Sequence, residues 1–60
     1  MMTKKEFYTK KADEAFTVAV RTVQRRRNEL GQTFVNMADA CHEQELILWE
    51  WWDDYLNEHV

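Results

Sequence analysis

Asp39, His42 and Glu45 follow one another at steps of three, with Cys41 among them. These are residue types that ligate metals or move protons. On one helix, however, each step of three drifts about 60° around the cylinder, so the three side chains fan out instead of converging. A metal site between helices draws carboxylates and imidazoles from facing elements. The first half of the chain supplies only Glu6, Asp13 and Glu14 for that purpose, mostly on its outer face. Neither a metal nor a cofactor is expected. The sequence also has no Ser/His/Asp order and no Gly-rich phosphate loop, so it is not expected to be an enzyme or to take a small-molecule substrate. Cys41 reads as a small core residue, although in a two-fold assembly Cys41 or His42 can meet its own copy and make assembly sensitive to redox state or pH.

Two other constellations bear on binding. Arg25, Arg26 and Arg27 put three guanidinium groups in one helical turn, and Arg21 lies one turn earlier. Guanidinium forks suit phosphate contacts, while positive charge in a last helical turn also simply favours the helix C-terminus. Trp49, Trp51, Trp52 and Tyr55 form the second group. Tryptophan is enriched where interfaces bury their strongest contacts, but the same rings can serve as core. By helical angle Trp52 is central and Trp49 sits at the rim, which leaves Trp49 for a partner. A membrane is not the expected partner, because the second half of the chain carries seven acids and no Lys or Arg, which anionic lipid repels.

Two helices must position these groups. Thr3-Lys4-Lys5-Glu6 has the pattern of a capping box, in which the Thr hydroxyl and Glu carboxylate satisfy free N–H groups of a first turn. From there Tyr8, Ala12, Ala15, Phe16, Ala19, Val23 and Leu30 share one face at about 100° per residue. Gly31, the single glycine, marks the end. A second stripe runs through Phe34, Met37, Cys41, Leu48, Trp52, Tyr55 and His59. Thr33 is its expected cap, since Phe34 fits the stripe. The alternative is Asn36, with Asp39 at the third position and Val35 as a staple.

The expectation is therefore an all-α fold of one domain, residues 1–60, forming an antiparallel two-helix hairpin over about 3–30 and 33–58. Its register would place Leu30 near Phe34, Val23 near Cys41, Ala19 near Gln44 or Leu48, Ala12 near Trp52 and Tyr8 near Tyr55. All eight Lys and Arg lie between Lys4 and Arg27, and seven of the eleven acids between Asp39 and Glu58. In a hairpin that split brings Lys4, Lys5, Lys10 and Lys11 toward Glu50, Asp53, Asp54 and Glu58. It leaves the arginines at the turn with only Glu29, Asp39 and Glu43 nearby.

Hydrophobic residues make up 45% of the chain and charged residues 32%, with no Pro, so the chain should fold. Sixty residues give a marginal core, and one cysteine cannot make an internal disulfide. Oligomerisation is the remaining reinforcement. Leu46, Ile47, Trp49, Trp51, Trp52 and Leu56 widen the second apolar arc beyond what one facing helix covers. A homodimer forming a four-helix bundle is the economical answer. No secretory leader or membrane-length apolar run is visible, which points to a cytoplasmic protein.

The functional expectation is a small regulatory protein, of the kind phages and other mobile elements use to bind a host or defence protein. Leu46, Trp49, Glu50, Asp53 and Asp54 would form the partner-binding surface. The alternative is a dimeric RNA- or DNA-binding regulator using Arg21, Arg25, Arg26 and Arg27.

Overall fold

The computed structural model describes residues 1–59. Helix α1 spans Lys4–Glu29 and helix α2 spans Met37–Glu58, and they pack side by side as an antiparallel hairpin with no strand among the described residues. The capping box is present at the start of α1: the Glu6 N–H donates to Thr3 Oγ1 at 3.2 Å and the Thr3 N–H to Glu6 Oε1 at 3.4 Å. At the other end Leu30 is the cap residue and Gly31 turns left-handed, with φ of 77°. That turn aims the Gly31 N–H at the Asn28 carbonyl (3.1 Å) and the Gln32 N–H at the Arg27 carbonyl (2.8 Å). Two carbonyls that α1 itself cannot satisfy are thereby paired.

The second helix starts later than expected. Asn36 caps it, accepting the Ala38 N–H at 2.8 Å, and Met37 is the first helical residue. Thr33 and Phe34 stay in the connection, where Phe34 is 75% exposed. An Asn side chain satisfies first-turn N–H groups at least as well as Thr, and this local hydrogen bond outweighs the fit of one phenyl ring to a stripe.

The core is smaller than the stripes implied. Phe7, Ala15, Ala19 and Val23 are buried on α1, and Ala40, Ile47 and Leu48 on α2. Ala15, Ala19, Ile47 and Leu48 form the central cluster, with Tyr8, Val18 and Trp51 packed against it. Ala19 and Leu48 thus share the central cluster, one of the two placements that the expected register allowed for Ala19. The remaining register pairs shift. Phe7, not Tyr8, takes the aromatic end, its ring 5.4 Å from Trp52 and 5.2 Å from Tyr55. Ala12 faces Gln44, whose Nε2 donates to the Ala12 carbonyl at 2.9 Å. Cys41 is exposed and Ala40 is buried in its stead. Leu30 and Phe34 are both 75% exposed and do not close the turn end.

One cause underlies most of these shifts. The buried line on α1 advances by fours, through Phe7, Ala15, Ala19 and Val23, and each such step drifts about 40° around the helix. A face drawn at a fixed angle through the middle of α1 therefore picks Tyr8 over Phe7 at one end and adds Leu30 at the other.

No large side chain is fully buried, and the chain exposes 4694 Å². A compact monomer of 7.3 kDa would expose ~4,200 Å². The excess, about 500 Å², reflects a shape of 43 × 18 × 13 Å, only two helices thick.

Candidate functional site

Three surfaces deserve comparison because the two helices give the hairpin two open flanks and α2 an outer face. On the outer face Leu46, Trp49, Glu50 and Asp53 line a shallow groove. Residues at steps of three and four on one helix share a side, which is why this set converges without help from α1. Trp49 is 65% exposed and Leu46 43%. An indole left that far in water, between two carboxylates, is costly to keep and rewarding to cover.

The structure thus brings together four of the five residues expected to bind a partner. Asp54 is separated from them. It lines the first flank groove with Phe7, Lys11, Glu14, Trp51 and Glu58. Four of these residues are charged, so this flank is wet and mixed in sign. The opposite flank groove differs in kind. Tyr8, Thr9 and Ala12 of α1 face Gln44, Glu45, Leu48 and Trp49 of α2 across it, with Glu45 the single charged residue. Sequence reasoning took Leu48 and Ala12 as interior and did not single out this groove. A signal was present in Tyr8, Ala12, Phe16 and Val20, apolar residues spaced by fours along α1, of which Tyr8 and Ala12 line the groove.

The arginines divide into two pairs. Arg26 bridges to Glu43 at 3.2 Å, and Arg27 bridges to Asp39 while also donating to Gln32 Oε1 at 2.7 Å. Both ion pairs link the helices across the turn, joining positive charge at the C-terminus of α1 to negative charge near the N-terminus of α2, as both helix dipoles favour. Asp39 and Glu43 are two of the three acids expected near the arginines, and they leave Arg25 without an ion pair among the described residues. Arg21 and Arg25 are exposed and make no ion pair among the described residues.

The lysines form no ion pair with α2 among the described residues, although Lys11 shares a groove with Asp54 and Glu58. Lys4, Lys5 and Lys10 make no ion pair among the described residues, and Lys11 pairs with Glu14 on its own helix at 3.6 Å. The charge attraction between halves is localised at the turn. Asp39, His42 and Glu45 do not converge, and no group of three His, Cys, Asp or Glu among the described residues is arranged to hold a metal. No helix among them is long and apolar enough to cross a membrane.

Compared with known protein families, curated proteins and solved structures, the chain matches none.

Proposed function

We propose that the hairpin is a non-enzymatic protein–protein interaction module, working as a homodimeric four-helix bundle in the cytoplasm, whose binding surface is the outer face of α2. The supporting observation is the groove of Leu46, Trp49, Glu50 and Asp53, in which Trp49 is exposed. Its complement is a protein surface that is basic and partly apolar, so that an aliphatic group covers the indole while Lys or Arg reaches the two carboxylates. Small proteins of phages and other mobile elements that bind host or defence proteins have this economy of design, and the hairpin fits that role.

The test uses a synthetic amphipathic helix of leucine and lysine as the probe, followed by calorimetry. The wild-type protein should bind it, less tightly as salt rises. Trp49→Ala should weaken binding by at least about tenfold, since a central tryptophan commonly carries ~2 kcal/mol or more. Helicity should not change. Equal binding by the Trp49→Ala variant would overturn the assignment of the outer face.

A second reading, a dimeric RNA- or DNA-binding regulator, draws support from Arg21 and Arg25, which are exposed and free of ion pairs among the described residues. It is the weaker of the two because Arg26 and Arg27 already face carboxylates. Its mark is a steep loss of affinity with salt.

A further inference from the structure

We infer that the flank groove lined by Tyr8, Thr9 and Ala12 on α1 and by Leu48 and Trp49 on α2, with the half-buried Phe16 and Val20 further along α1, is the seat of a second copy of this chain, and that Glu50 and Asp53 of the outer groove stay free when the dimer forms. The inference rests on the homodimer proposed above and assigns its surface.

Charge makes the choice between the three surfaces. A two-fold interface sets each patch against itself, so like charges within it face their own copies. The outer groove holds Glu50 and Asp53 with no cation, and would repel itself. The Asp54 flank holds Lys11 against Glu14, Asp54 and Glu58, again with acids in excess. The groove on the remaining flank has Glu45 as its one charged lining residue and is otherwise apolar or neutral. An apolar patch is complementary to itself without any arrangement of signs.

Area agrees. Ala12 faces Leu48 and Trp49 across the groove, and the half-buried Phe16 and Val20 extend its line by fours along α1. The whole hairpin face on this side, 43 Å long and 18 Å wide, is large enough to hold the ~800 Å² per partner that a specific interface buries. It would also remove the excess exposed surface that a two-helix layer cannot avoid. Leu46 and Trp49 line both this flank and the outer groove, so in the dimer they stand at the rim, with one face of the Trp49 indole still open.

Sedimentation equilibrium of the full chain decides the matter. The protein should have twice its 7.3 kDa monomer mass at micromolar concentration. Val20→Glu should raise the dissociation constant by about 100-fold, as a desolvated charge at an interface does. Thr9→Arg, at an exposed helical position on the edge of the same groove that the fold can tolerate, should raise it by about tenfold or more. Lys11→Gln, on the opposite flank, should leave it within about threefold. If Val20→Glu fails to fold, judged by circular dichroism, Thr9→Arg carries the test alone. A monomer up to roughly millimolar concentration would overturn the inference. So would a dimer that tolerates Thr9→Arg, or one broken by Lys11→Gln. A monomer that still binds the cationic helix would remove the dimer and leave the outer-face reading standing; a Thr9-sensitive dimer indifferent to that helix would do the opposite.

Discussion

The two ends of the hairpin are held by different physics. At the turn, Arg26–Glu43, Arg27–Asp39, the left-handed Gly31 and the Asn36 cap tie α1 to α2 through hydrogen bonds and charge, while Leu30 and Phe34 stay in solvent. At the other end Trp52 stacks on Tyr55 and Phe7 tilts against both, His59 lies 4.2 Å from the Tyr55 ring, and the Met2 N–H donates to the Tyr55 hydroxyl at 2.8 Å. Exposed ion pairs are worth about 0–1 kcal/mol each, whereas a buried aromatic ring is worth several times that. The turn end fixes how the helices connect, and the aromatic end, with the central cluster, supplies most of the packing.

That contrast can be broken from either side. Phe7→Ala should have the largest effect, ~3 kcal/mol, which is comparable to the whole stability of a domain this small. Urea titration should show the transition collapsing. If Phe7→Ala costs less than the loss of a cap, the ranking of the two ends is reversed. Asn36→Ala should cost about 1 kcal/mol, or a melting temperature lower by roughly 4–8 °C. Its amide exchange should quicken most in the first turn of α2. The smallest effect is ionic. Adding about 1 M salt should loosen the turn end alone, by a fraction of a kcal/mol. It should show as faster amide exchange around Arg26 to Asp39 with no change near Phe7. Equal loosening at both ends would mean that the aromatic end carries electrostatics absent from its contacts.

Much of the fold was legible because it depends on local signals. Thr3 and Glu6 at the right spacing, one glycine at the end of a periodic run and two amphipathic stretches specify a hairpin with little ambiguity. Asn36 was visible as a cap but lost to Thr33, since Phe34 matched a periodicity that tertiary structure does not use. Phe7 was missed because the contact line drifts around α1, and drift depends on how two helices lie against each other. The outer groove was readable from α2 alone, as Leu46, Trp49, Glu50 and Asp53 are neighbours on one helix. The flank groove was not, because its two walls come from different helices and its existence depends on the register. The partners of the arginines were legible, since Asp39 and Glu43 are acids that a hairpin must bring to the turn; those of the lysines were not, because charge totals per half do not say which residues meet.

The three tryptophans differ in setting, with Trp49 65% exposed and Trp51 and Trp52 half-buried. The chain therefore carries its own optical label. Emission from Trp49 comes from a wet indole and is open to quenching, while its two neighbours emit from drier surroundings. Any occupant of the outer face of α2 changes the colour of one residue in three, so binding at that surface can be followed by light without attaching a dye.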